Sequence, residues 1–128
     1  MRLLLDTQIV LWALTGSPRL GAKAHELIAD PANEVFVSTA SIWEIAIKHA
    51  LGRGDMPVSG VRAAELCALA GYRELPVTWQ HAASVDALPP RHADPFDRIL
   101  IAQADSEPMR LLSRDATVVG YGAMVLPV

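Results

Sequence analysis

The sequence predicts an α/β domain, a parallel sheet sandwiched between layers of helices. Three observations lead there. Short strand-like runs alternate with helical segments from one end of the chain to the other. Those runs, such as Leu3-Leu4-Leu5, Val35-Phe36-Val37 and Leu111-Leu112, are apolar at successive positions, as in strands buried on both faces. The 128 residues are 52% hydrophobic and 20% charged, enough to bury a core. With no Pro/Gly/Ser-rich linker and no repeat, residues 1–128 read as one domain.

The elements follow in order. Arg2 to Leu5 reads as a first strand. Ile9, Val10, Trp12, Ala13 and Leu14 suggest a helix that Gly16, Ser17 and Pro18 stop. Leu20 to Ala29 reads as a second helix ending near Pro31, and Val35 to Val37 as a β-branched and aromatic strand. Ala40 to Leu51 is strongly helical and is closed by Gly52 and Gly54. Val61 to Leu69 predicts a helix, Arg73 to Val77 a short strand, and Trp79 to Leu88 a helix before the Pro89-Pro90 loop. Pro95 to Ala104 is a clear helix, with strands at Arg110 to Leu112 and Met124 to Val128.

Bulk properties narrow the function. No run approaches the roughly 20 apolar residues of a membrane span. Met1-Arg2-Leu3-Leu4-Leu5-Asp6 meets an acid too early for a secretory signal, so a cytoplasmic location is expected. The single cysteine, Cys67, permits no internal disulfide and reads as a small core residue. His25, His49, His81 and His92 are scattered without zinc spacing. A net charge of −3 argues against coating nucleic acid by bulk electrostatics, but an acidic metal site is compatible with it.

Four acids stand where ligands bind in a parallel sheet, beyond the carboxyl ends of strands or early in helices. Asp6 directly follows Leu3-Leu4-Leu5, and its plainer role is an N-cap. Glu44 lies in an apolar helix, where Ser41-x-x-Glu44 resembles a capping box and Lys48 could pair with it at i+4. In Asp94-Pro95-Phe96-Asp97, Asp94 suits the cap and Pro95 the first helical position, leaving Asp97 in the first turn. Asp115 follows the strand Leu111-Leu112 and could be a turn or cap residue. Converging carboxylates repel one another without cations, and all-oxygen ligation suits Mg²⁺, with Mn²⁺ as the alternative. Such ions activate water and stabilise charge on a phosphoryl centre, so the pattern points to phosphodiester hydrolysis.

The chain resembles PIN-domain endoribonucleases, specifically the VapC toxins of type II toxin–antitoxin pairs. The resemblance rests on Leu4-Leu5-Asp6-Thr7, Ser38-Thr39-Ala40-Ser41-Ile42-Trp43-Glu44-Ile45, the segment from His92 to Ala104, and Leu112-Ser113-Arg114-Asp115. These recur in the family's order and span nearly the whole chain. The resemblance implies a PIN-like α/β/α sandwich. It implies an acidic cluster of Asp6, Glu44, Asp97 and Asp115, with Asp6 and Asp97 the most direct Mg²⁺ ligands and Glu44 and Asp115 completing the site. It makes Thr7 and Ser113 supporting hydroxyls, RNA the substrate, and a cognate antitoxin and a second copy of the chain the partners. Gln8 departs from the His that often follows the first Asp-Thr in this group, and Ala116 to Tyr121 matches only loosely.

If RNA is the substrate, nearby cations must hold it: Lys48, Arg53, Arg91, His92, Arg98 and Arg114. Arg98 and Arg114 each adjoin a candidate acid and could instead pair with it. Trp43 could stack a base, but core packing is the expectation for it and for Trp12 and Trp79. Two rivals remain. An Asp6-based phosphatase would favour a second acid where Gln8 stands, and a non-catalytic binding module would use the acids only as caps.

Overall fold

The computed structural model describes residues 1–52, 56–90 and 94–128. Five strands, β1 (Arg2–Leu5), β2 (Glu34–Ser38), β3 (Arg73–Leu75), β4 (Arg110–Ser113) and β5 (Val125–Pro127), form one sheet in the order β3-β2-β1-β4-β5. All its pairings are parallel. The chain adds strands to one side of β1 first and to the other side later, so the order reverses between β1 and β4. At such a reversal the connections leave in opposite directions and open a crevice at the strands' carboxyl ends.

Period-two alternation in β1 splits the core into two layers. Leu3 and Leu5 face α1 (Thr7–Thr15) and α2 (Ala22–Ala29), packing with Ile9, Val10 and Ala24. Leu4 faces the other side, with Leu100, Ile101 and Ala104 of α6 (Pro95–Ser106) and Val118 of α7 (Ala116–Val119). The α/β/α sandwich therefore follows from three consecutive leucines that no solvent reaches. A third cluster, Leu11, Ile45 and Ala63, joins α1 to α3 (Thr39–Ala50) and α4 (Gly60–Leu69). A Cβ added at Gly60 would lie 2.6 Å from that of Ala46, so α3 and α4 approach closely only because position 60 has no side chain.

Several sequence expectations are refined. The segment before α2 is a separate 3-10 turn at Pro18–Leu20, and the end of the expected Trp79 helix is another, so α5 is only Trp79–Ser84. The α7 helix was not expected; its four residues are too few to display a helical period. The core expectation holds for Cys67 and for Trp12, which packs against the first cluster. It fails for Trp43 and Trp79, which are 63% and 95% exposed. Trp43 instead sets its ring edge-on to Phe96 at the surface. Among the described residues no helix is long and apolar enough to cross a membrane.

Candidate metal centre

Asp6, Glu44, Asp97 and Asp115 line one cavity of about 420 Å³, together with Asp94, Lys48, Arg114 and Trp12. It opens at the strand reversal, because β1 delivers Asp6 and β4 delivers Asp115 side by side. A larger cavity of about 740 Å³ between α3 and α4 is mostly apolar and carries none of the four acids.

Asp6 sits ahead of α1, yet its carboxylate makes no capping hydrogen bond. It is 8% exposed, and its Oδ2 accepts from the Ser113 hydroxyl at 2.7 Å. Burial raises its carboxyl above the ordinary carboxylate value. The Ser113 hydrogen bond and the nearby Gln8 amide oppose that rise, and the charges of Glu44 and Asp115 add to it. Ser113 also accepts from the Asp115 amide at 3.1 Å, so one hydroxyl ties the two strand exits together.

Glu44 is not part of a capping box. Ser38 caps α3 by accepting from the Ala40 amide, which puts Ser41 inside the helix. Ser41 accepts instead from the buried Thr7 hydroxyl at 2.9 Å, joining α1 to α3. Glu44 is 6% exposed; its Oε2 lies 2.7 Å from Lys48 Nζ, while Oε1 is buried with no hydrogen-bond partner. A buried carboxylate with an unmet oxygen is costly unless something positive completes it.

Asp94 is the cap of α6, accepting from the amides of Phe96 and Asp97, and Pro95 occupies the first helical position. Asp97 then stands in the first turn, partly buried, facing the cavity. Asp115 is exposed and caps α7, its Oδ1 accepting from the Thr117 amide at 2.8 Å. Asp94 is the cavity residue that sequence reading assigned to structure alone. It does cap, but its i, i+3 spacing from Asp97 also puts both acids on one helix face, a signal available in the sequence.

The expected cations are arranged differently from one another. Lys48 and Arg114 line the cavity. Arg114 does not pair with Asp115. Its guanidinium donates to Leu20 O and Val128 O and lies 4.9 Å over the Trp12 ring, in space that Gly21 leaves by having no side chain. Arg98 donates to Pro89 O, Val85 O and the Tyr121 hydroxyl, anchoring α6 to the segment before it. Arg53, Arg91 and His92 lie outside the described residues.

The donor set is all oxygen and suits a hard divalent cation. The orphaned Glu44 Oε1 is what a site short of positive charge looks like. Among the described residues, no three such side chains stand close enough together to bind one ion. Acids of the site have partners within the protein: Glu44 has Lys48, Asp6 has Ser113, and Asp115 caps its own helix.

Comparisons with known proteins bear on the fold and the family. A PIN domain model matches residues 3–119. Among solved structures, the fold is similar to VapBC2 from Rickettsia felis bound to a DNA fragment from its promoter. There the TM-score is 0.68 and identity 12%, covering 99% of this chain and 98% of that one. It is similar too to a toxin–antitoxin complex from Klebsiella pneumoniae, with TM-score 0.65 and 19% identity over 96% and 94%. A domain of a functionally unknown protein from Methanocaldococcus jannaschii matches with TM-score 0.58 and 12% identity over 99% and 90%. No curated protein matches. At these identities the structural likeness speaks for the fold, and the family model, covering most of the chain, settles membership: the chain belongs to the PIN domain family.

Proposed function

We propose that this chain is a Mg²⁺-dependent endoribonuclease that hydrolyses RNA phosphodiester bonds as the VapC-type toxin of a type II toxin–antitoxin pair. PIN domains are generally nucleases that use divalent metal ions. The observation that carries the reading for this chain is the single cavity at the strand reversal, lined by all four acids, with a buried carboxylate oxygen left unmet. The toxin assignment draws on the likeness to two toxin–antitoxin complexes, and with it come a cognate antitoxin, a homodimer and a cytoplasmic site of action. Residues 1–128 act in this reading as one PIN domain.

Asp6, Glu44, Asp97 and Asp115 would hold Mg²⁺, or Mn²⁺ in its place. A bound divalent ion supplies a more acidic water and charge neutralisation at the scissile phosphate. The protein's own part is orientation. Ser113 fixes the carboxylate of Asp6 and, through the Asp115 amide, the start of α7. The Thr7–Ser41 hydrogen bond holds α1 against α3, and so keeps Asp6 in register with Glu44. Arg98 braces the chain leading to Asp97 through Pro89 O and Val85 O, and its proposed contact with RNA comes from the sequence reading. Lys48 and Arg114 bring positive charge to the cavity wall for the RNA phosphates, and Arg53 belongs to the same proposal from sequence.

The test is cleavage of a structured RNA by purified protein with Mg²⁺, and sequencing of the new ends. Asp97→Asn and Asp6→Asn should lower the rate by roughly three orders of magnitude, the scale of several kcal/mol of lost charge stabilisation. Folded variants that cleave at the wild-type rate would overturn the site. Hydrolysis of a phosphomonoester with no action on RNA would instead favour the phosphatase reading.

A further inference from the structure

We infer that Lys48 is a resident counter-ion of the metal-free cavity, which an entering divalent cation must displace from Glu44. The inference rests on the reading that this cavity takes such a cation. Glu44 and Lys48 are one helical turn apart on α3, with Nζ 2.7 Å from Oε2. The pair is lopsided. Glu44 is almost fully buried, whereas the Lys48 side chain is 40% exposed. Of the Glu44 carboxylate, Oε2 is the oxygen paired with the ammonium, and Oε1 is buried without a hydrogen-bond partner.

A pair built only for stability would satisfy both oxygens, as a guanidinium fork does. An ammonium on a flexible four-carbon stem can instead swing to water without exposing any core, because part of it is already there. Lys48 and Glu44 share the cavity with Asp6, Asp94, Asp97, Asp115 and Arg114, so acids outnumber bases along its lining. Lys48 lowers the cost of that excess while no cation is present. It also competes with any cation for Glu44. Once displaced, the same ammonium faces the cavity, where a substrate phosphate would lie.

The experiment is calorimetric titration of the full chain with Mn²⁺, without RNA and at one pH and ionic strength, alongside thermal unfolding in EDTA. Lys48→Met should bind Mn²⁺ about tenfold more tightly, the scale of removing one partly screened charge a few ångströms away. It should also unfold at a lower temperature than wild type when metal is absent. Lys48→Gln, which keeps a polar end, should show the same direction if the methionine variant does not fold. Lys48→Arg should bind Mn²⁺ more weakly than wild type, because a fork can hold both oxygens. Wild-type binding with equal or weaker binding by both neutral variants overturns the counter-ion role alone. Absence of Mn²⁺ binding by wild type overturns the cavity reading and this inference with it.

Discussion

The acid cavity and the seam between α5 and α6 are both clusters of buried polar side chains, but they are closed in different ways. At the seam, His81 is 1% exposed and both ring nitrogens are used. Nδ1 accepts from the Thr78 amide at 3.1 Å and lies 3.3 Å from Gln103 Nε2, so the ring proton belongs on Nε2, 2.6 Å from Glu107 Oε2. Thr78 in turn caps α5 by accepting from the His81 amide. The one unmet atom there is Gln103 Oε1, a neutral amide oxygen. In the acid cavity the unmet atom belongs to a carboxylate, and other carboxylates line the same cavity. A cluster that pairs its titratable groups within the chain, and leaves only a neutral amide oxygen unmet, fixes two helices. A cluster that leaves a buried charge half-paired is built for something not in the chain.

The largest expected effect tests the seam. His81→Ala removes the acceptor for Thr78 N–H and the donor for Glu107, and leaves a hole beneath α5. It should lower stability by about 3 kcal/mol in denaturant titration, as loss of one member of a buried polar network does. Metal-dependent cleavage by the folded fraction should be unchanged. Lost cleavage at full folding would break the division between the two clusters.

Next in size is Ser113→Ala, which tests the cavity's own framework. The hydroxyl orients Asp6 and accepts from Asp115 N–H, so its removal loosens two proposed ligands at once. Mn²⁺ affinity and cleavage should each fall by roughly 10- to 100-fold, the usual penalty for losing a group that orients a metal ligand. An unchanged affinity would mean that Ser113 serves the sheet alone.

Ser113 also shows where the sequence stops being readable. An acid straight after an apolar strand marks the carboxyl end of β1 and of β4, and the helices are legible from their period and caps. That much locates the candidate acids. That Ser113 reaches Asp6 depends on β4 lying beside β1, a pairing across 107 positions that no local pattern encodes. The capping-box alternative for Glu44 fell only because Ser38, three positions before Ser41, turns out to be the cap. Trp43 was misread for a related reason. Its helix is apolar around much of its circumference, so the pattern does not say which side meets the sheet. The α7 helix is set by its cap, Asp115, rather than by any periodicity.

The smallest effect is the most specific to the cavity. Burial favours the neutral form of Asp6, so its carboxyl in the folded protein titrates above its unfolded value. The native state thus holds that proton more tightly than the unfolded chain does. The stability this contributes is complete below the ordinary carboxylate range and is lost as pH rises through the raised value. At neutral pH the metal-free protein therefore carries an ionised Asp6 at a cost, and Asp6→Asn should remove it while keeping an acceptor for the Ser113 hydroxyl. Thermal unfolding in EDTA should show the variant melting a few degrees higher than wild type at neutral pH, with the gain disappearing below the carboxylate range. Saturating Mn²⁺ should reverse the order, since only wild type then gains from the ion. The seam predicts no such inversion: His81→Ala should be the weaker protein with metal and without it. If Asp6→Asn instead melted lower at neutral pH in EDTA, the Ser113 hydrogen bond would outweigh burial, and Asp6 would belong with the self-satisfied groups of the seam.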